Sequence, residues 1–321
     1  MLKTITFYVA IILIVFASLL FVIVQPLAFS SNKTSNIEVN PEALKKHVVT
    51  LSEENTPLGG SADGLDVAAN YIKKQFSKYG EVQETLYTLD GESYRNLSII
   101  FGDKANERIV VGAHYDSFLG LPGADDNASG VAGLIELAGL LSKADLQRTV
   151  ELIAYTLEEP PYFRTQKMGS AVHAKNLKEN NVNVVVMMSL EMIGYFSDES
   201  NSQEYPLSIM KLFYPTTGNY IAVVSNFSNI GVVRTTKRAM KSVMNLPVRS
   251  LNAPGSVVGV DFSDHLNFWL HDYPAFMITD TAFYRNKAYH TENDTWERLD
   301  YKRMSEVVKG VYNAVLKFSN N

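Results

Sequence analysis

Apolar and polar positions change their period along the chain, and the changes mark out alternating helices and strands. Leu65, Ala69, Ile72 and Phe76 recur at helical spacing and predict an amphipathic helix. The short apolar runs Leu97–Phe101 and Ile109–Ala113 read as strands, and the turn residues Gly102, Asp103 and Asn106 between them predict that they are neighbours. Val131–Leu141 reads as a helix opened by Asn127-Ala128-Ser129-Gly130, Val150–Thr156 as a strand and Ser170–Lys178 as a helix. Val182–Leu190 is almost continuously apolar, as expected of a strand buried on both faces. Tyr220–Val224 and Ala275–Thr279 predict strands, and Thr235–Met244 and Phe262–Leu270 predict helices. Met304, Val307, Val308, Val311 and Val315 line one face of a C-terminal helix, with Asp300 as its N-cap. The stretches 196–218 and 245–261 are rich in Ser, Asn, Pro and Gly and read as long loops. This alternation predicts an α/β fold, a three-layer α/β/α arrangement around a central mixed, mostly parallel sheet.

The N-terminus departs from this pattern. Ile5–Val24 is apolar except for Thr6 and Ser18, long enough as a helix at ~1.5 Å per residue to span a hydrocarbon core of ~30 Å. Lys3 favours the N-in orientation, and Pro26 marks the end of the helix. The expectation is a signal anchor over residues 1–29. A signal peptide cut near Ala28-Phe29-Ser30 is the competing reading. Residues 30–40 read as a linker and 41–321 as a single body, extracytoplasmic and membrane-anchored, or secreted or periplasmic if the segment is cut.

Composition narrows the chemistry. The 321 residues include no cysteine, which excludes disulfides, thiolate zinc, iron–sulfur clusters and thiol nucleophiles. Any metal must therefore sit on His, Asp, Glu or backbone oxygen. The formal charge of −5, with no basic cluster, predicts no nucleic-acid partner.

The candidate chemistry lies where predicted strands end. His114 follows directly on Ile109–Ala113, with Asp116 two residues on, spaced to hold the second ring nitrogen. Asp125 and Asp126 open a helix beside Asn127, more acid than one N-cap requires. Glu158 and Glu159 follow Val150–Thr156, and on an extended chain they point to opposite sides. Glu191 ends an apolar strand, where a carboxylate is costly unless paired or metal-bound. Tyr289 and His290 complete the set. His47, His173 and His271 lack acidic neighbours at ligand spacing and read as structural. The motifs GxSxG, GxxxxGK[ST], GxGxxG after a strand and HExxH are all absent.

Taken in order, His-x-Asp, Asp-Asn-x-Ser-Gly, Glu-Glu, a strand-end acid and Tyr-His-Thr resemble the co-catalytic di-zinc aminopeptidase family over about residues 60–318. Its wider group includes secreted bacterial leucyl aminopeptidases, glutamate carboxypeptidases, glutaminyl cyclases and the transferrin-receptor ectodomain. The resemblance implies a zinc-exopeptidase fold holding two zinc ions and acting on peptides with a free N-terminus. It implies His114 and Glu191 on one ion, Glu159 and His290 on the other, and Asp126 bridging. It further implies Glu158 as general base, Asp116 orienting His114, and Tyr289 stabilising the oxyanion. Ser263-Asp264-His265 resembles a segment near the substrate pocket. The chain departs from the family in having Glu191 where Asp is usual, and in the stretch Pro160–Met168 inserted before Gly169-Ser170. Glutaminyl cyclisation, carboxypeptidase or dipeptidase action, and a non-catalytic interaction ectodomain are the rival expectations.

Overall fold

In the computed structural model, residues 22–29, 36–54, 62–89, 91–102 and 106–320 are described. Their strands are β1 (Val82–Leu89), β2 (Glu92–Phe101), β3 (Glu107–His114), β4 (Thr149–Tyr155), β5 (Asn183–Glu191), β6 (Ile221–Ser225), β7 (Val248–Asn252) and β8 (Ala275–Thr279). The helices that matter below are α1 (Pro41–Val49), α2 (Ala62–Phe76), α3 (Gly130–Leu141), α4 (Gly169–Glu179), α5 (Ile230–Lys241), α6 (His265–Trp269) and α7 (Tyr301–Ser319).

The strands form one sheet in the order β1-β2-β4-β3-β5-β8-β6-β7. The central strands β4, β3, β5 and β8 run parallel, and so do β6 and β7. The β1–β2, β2–β4 and β6–β8 pairings are antiparallel. Alternate residues of each strand feed opposite faces. Ile109, Val111 and Ala113 of β3 join a core with α1, α2, α3, α5 and α7, whereas Val110 joins one with α4 and α6. The expected three layers and mixed, mostly parallel sheet are present.

Four expectations need correction. β2 and β3 are not neighbours, because β4 lies between them. The connection from Phe101 to Glu107 is long enough to step over one strand, a distance of ~10 Å. The stretch 245–261 is not all loop, since Val248–Asn252 forms β7 at the sheet edge. The predicted helix Phe262–Leu270 is shorter, His265–Trp269, and Thr235–Met244 belongs to a helix beginning at Ile230. The C-terminal helix matches its pattern. Asp300 accepts from the Arg303 N–H, a cap worth ~1 kcal/mol, and Val307, Val308, Val311 and Val315 are fully buried at roughly 1.5–3 kcal/mol each.

The apolar run Ile5–Val24 lies outside the described residues up to position 21. Among the described residues no helix is long and apolar enough to cross a membrane.

One buried ion-pair cluster bears on stability. Glu151 of β4 is bonded by Arg108 Nη1 at 2.8 Å, and His173 Nε2 lies 3.4 Å away. Burial pushes the Glu151 carboxyl up, but the charges of His173 and Arg108 outweigh it and hold it down at about 2. A carboxyl depressed in the folded state stabilises the fold above its unfolded value of ~4.3 and loses that contribution as pH falls through its folded value. In urea titrations of chelated protein, stability should therefore fall between pH ~4.5 and 2, by an amount on the order of 1–3 kcal/mol from this group. Glu151→Gln should flatten that acid limb. An unchanged pH slope in the variant would assign the acid sensitivity to other groups.

Candidate functional site

The site forms at the carboxyl ends of the four adjacent parallel strands, where open α/β sheets leave a crevice. His114 ends β3, Glu158 and Glu159 follow β4, Glu191 ends β5, and β8 runs on to the buried Asp280. Asp126 arrives on the loop before α3, and His290 on the long connection between β8 and α7.

Asp126 lies between two pairs of side chains. Its Oδ1 is 3.3 Å from His114 Nε2, which is 3.5 Å from Glu191 Oε2. Its Oδ2 is 3.1 Å from His290 Nε2, which is 3.2 Å from Glu159 Oε1. Each pair, with Asp126, forms a set of three donors within metal-binding reach, and Asp126 belongs to both sets. A third set combines His114, Glu158 and Glu159. The two glutamates thus share one centre rather than facing opposite sides. Leu157, just before them, has φ 59° and turns the chain out of the extended path. Met192 (φ 49°) and His290 itself (φ 55°) are also left-handed, costing ~1 kcal/mol or more each.

Asp116 is used twice. Its main-chain carbonyl, rather than its carboxylate, meets His114 Nδ1 at 3.0 Å, and the carboxylate oxygen is 3.6 Å away. The carboxylate instead accepts the N–H groups of Glu158 and Glu159 at 3.1 and 2.9 Å. It therefore fixes the backbone that carries both glutamates, while its carbonyl sets the imidazole tautomer.

Other supports could not be read from the chain. Asp294 Oδ2 accepts the N–H groups of Asp125 and Asp126 at 3.2 and 3.1 Å, clamping the acid loop. Asn127 donates to the Leu190 carbonyl and accepts from Met192, tying that loop to the end of β5. The Asp126–Asn127 peptide bond is cis. A Cβ on Gly130 would stand 2.7 Å from the Leu190 carbonyl oxygen, so this close approach requires glycine. Ser263 Oγ donates to Glu191 Oε2 at 2.8 Å and meets Ser189 Oγ at 2.7 Å. The neighbouring Asp264 and His265 are fully buried. Burial pushes the Asp264 carboxyl up to about 7. His47 and His173 pair with Glu136 and Glu151, away from the centre.

Electrostatically, the centre is incomplete without cations. Asp126, Glu158, Glu159 and Glu191 are all buried, and no ion pair among the described residues brings a lysine or arginine to them. Burial raises the carboxyls of Glu158, Glu191 and Glu159, the last to about 8, with neighbouring acids adding to the effect. Burial also opposes the charged form of Asp126, but His114 and His290 outweigh it and hold that carboxyl low. His114 Nε2 and Asp126 Oδ2 are buried and make no well-aligned hydrogen bond, although each faces an opposite group at 3.1–3.5 Å. Donors ~2.0–2.1 Å from one tetrahedral ion stand ~3.3 Å apart, so the observed spacings of 3.1–3.5 Å suit metal ligands.

Beside Glu191 and Tyr289 opens an apolar cleft, walled by residues that include Met210, Tyr220, Val224, Val260, Phe262 and Met277. Tyr289 stacks on His290 with ring centroids 3.8 Å apart, and Phe118 stacks on the same imidazole at 4.0 Å. The inserted stretch after Glu159 is pinned by Arg164, which pairs with Asp261 and covers the Phe262 ring in the cleft wall.

Residues 96–315 match the family model for Peptidase family M28. The chain belongs to peptidase family M28. Among relatives of this M28 peptidase is the Escherichia coli (strain K12) protein YfbL, 45% identical over 311 residues, covering 94% of this chain and 95% of that one. Leucine aminopeptidase 1 of Blastomyces gilchristii is 24% identical over 313 residues, 88% of this chain and 74% of that one. In fold, the M28 peptidase is similar to the Legionella pneumophila LapA aminopeptidase, with a TM-score of 0.67, 20% identity, and coverage of 90% of this chain and 78% of the other. It is also similar to a glutaminyl cyclase from Fimbriiglobus ruber, with a TM-score of 0.63 and 17% identity, covering 91% and 99%.

Proposed function

We propose that this M28 peptidase is a zinc-dependent aminopeptidase that removes apolar N-terminal residues from peptides. In this reading the body is extracytoplasmic and held to the membrane by the N-terminal helix. The observation that carries the chemistry is Asp126, with one oxygen toward His114 and Glu191 and the other toward His290 and Glu159.

We assign His114, Asp126 and Glu191 to one zinc ion, and Asp126, Glu159 and His290 to a second. Bound there, the ions supply Lewis acidity, which lowers the pKa of water and polarises the scissile carbonyl. Glu158, outside both sets, accepts the proton of the attacking water and delivers it to the leaving amine. The hydroxyl of Tyr289, which lines the cleft, donates to the oxygen that gains charge. Burial, reinforced by Asp126 and the glutamates, pushes the Tyr289 phenol well above its ordinary range, which favours the protonated, donating form. Asp116 keeps Glu158 in register through the backbone. The cleft beside Glu191 receives the substrate's N-terminal side chain.

A series of aminoacyl-coumarin substrates with zinc-loaded enzyme tests this reading. Leucyl, methionyl and phenylalanyl substrates should exceed glutamyl and lysyl ones by roughly tenfold or more in kcat/KM, since an apolar side chain gains ~1.5–3 kcal/mol on burial. Chelation should abolish turnover and zinc restore it. A glutamyl preference would shift attention to Arg249 in the cleft wall. Release of ammonia from N-terminal-Gln peptides, with no aminoacyl hydrolysis, would instead favour a cyclase.

Ser263 offers a separate check on the Glu191 assignment. A serine has one proton; given to Glu191, it leaves the Ser263 oxygen to accept from Ser189. This relay holds a carboxylate one methylene longer than the family's usual aspartate. Ser263→Ala should weaken metal affinity at that site by roughly 10–100-fold in calorimetric titration, leaving the other site unchanged. Equal weakening at both sites would argue that Ser263 acts on the whole pocket.

A further inference from the structure

The chain leaves its apolar N-terminal run through residues 22–29, and this segment is fastened to the body. From α5, Lys237 Nζ donates to the Pro26 carbonyl at 3.0 Å and Lys241 Nζ to the Ala28 carbonyl at 2.9 Å. Asn252, at the end of β7, donates to the Ile23 carbonyl at 3.2 Å. Gln25 hydrogen-bonds Tyr214, whose hydroxyl continues to the Ser250 carbonyl of β7 at 2.8 Å. The emerging segment, α5, the edge strand and the loop before Tyr214 therefore meet in one place.

Large apolar side chains are exposed on both parts of that place. Ile23, Leu27 and Phe29 (81% exposed) lie on the segment, and Leu207, Ile209 and Leu212 (78% exposed) on the loop. Inward residues of the same loop, Pro206, Met210 and Tyr214, line the apolar cleft beside Glu191. The exposed Arg234 and Arg238 and the half-buried Lys241 of α5, a helix with no acidic residue, flank the patch, and the exposed Lys211 sits within the loop. Exposed apolar residues beside lysine and arginine suit the headgroup layer of an anionic bilayer. The occupant follows from where the chain comes from. The apolar run Ile5–Val24 continues directly into the segment bearing Leu27 and Phe29. If that run spans a bilayer, the patch is already within a few residues of its surface.

We propose that the face formed by residues 22–29 and the 207–212 loop lies against the membrane, so that the substrate cleft opens beside the bilayer. The proposal rests on the anchored reading above and adds an orientation to it. The anchor sets how far the body can stray, and the patch sets which way it faces. The substrates best placed are peptides whose N-termini are held at the membrane surface.

The cysteine-free chain allows a direct test. The full chain carrying Leu212→Cys, labelled with an environment-sensitive fluorophore, is reconstituted into phosphatidylcholine/phosphatidylglycerol vesicles. Lys175→Cys, at an exposed position of α4, is the control. The protein should float with the vesicles, and the Leu212 label should shift to the blue and lose most of its emission to nitroxide lipids, while the control does neither. Ile209→Asp combined with Leu212→Asp should abolish the same response from a label at Leu207→Cys on the loop itself. A chain that floats while its Leu212 label behaves like the control would overturn the docked face and leave the anchor intact. A chain that does not float would overturn the anchor, and the docked face with it.

Discussion

Glu158→Gln should retain two metal ions per chain and lose turnover by roughly 10²–10⁴-fold, the range for removing a general base. The substitution keeps the size of the side chain and removes only its capacity to take a proton, equivalent to ~3–5 kcal/mol of barrier. Metal content makes this more than an activity test, because the structure offers a competing arrangement. Glu158 also falls in a set with His114 and Glu159. If that set held an ion, the substitution would lower metal content along with turnover. Retained metal with lost turnover supports the base, and parallel loss makes Glu158 a ligand. The chelated variant should be no less stable than the chelated parent, because one member is removed from a crowd of buried carboxylates without an ion-paired lysine or arginine among the described residues.

How legible the site was depended on what kind of contact makes it. The strand-end positions of His114, Glu158 and Glu191 could be read because a strand's apolar run stops where its chemistry begins. Strand β8 could be read to the residue, since Ala275–Thr279 is short, apolar and bounded by polar positions. Strand β7 could not, because the adjacent polar Arg249 and Ser250 leave Val248–Asn252 neither a continuous apolar run nor a strict alternation, and it lies at an edge. The order of β2, β4 and β3 was also hidden, since a local turn signal reports that the chain reverses and not what slips in between. The supports of the site are long-range. Asp116 reaches a backbone 42 residues away, Ser263 a carboxylate 72 away, and Asp294 a loop 168 away. Periodicity carries no trace of such pairings. The doubled acids and the unpaired strand-end glutamate were the only local hints that something cationic was required.

Asp126→Asn should have the larger consequence of the two substitutions at the centre. It preserves shape and leaves one carbonyl oxygen, but replaces the second ligating oxygen with an amide nitrogen that carries two protons and no free pair. Two imidazoles now depend on opposite oxygens of this one carboxylate, 3.3 Å from His114 and 3.1 Å from His290. Whichever way the amide turns, one set keeps an oxygen and the other faces N–H groups. Metal content should therefore fall from two ions to one or fewer, and turnover by roughly 10³-fold or more, as several kcal/mol of Lewis-acid stabilisation disappear. The loss should not be rescued by excess zinc, which would rescue a ligand merely weakened. The chelated variant should also lose stability, because it removes the anion that the buried His114 and the half-buried His290 both face, whereas Glu158→Gln removes a carboxylate in a crowd of them. Opposite signs in the metal-free state and a shared loss of turnover would separate a bridging ligand from a base. A variant that still bound two ions would mean that Asp126 is not shared, and that the two donor sets close without it.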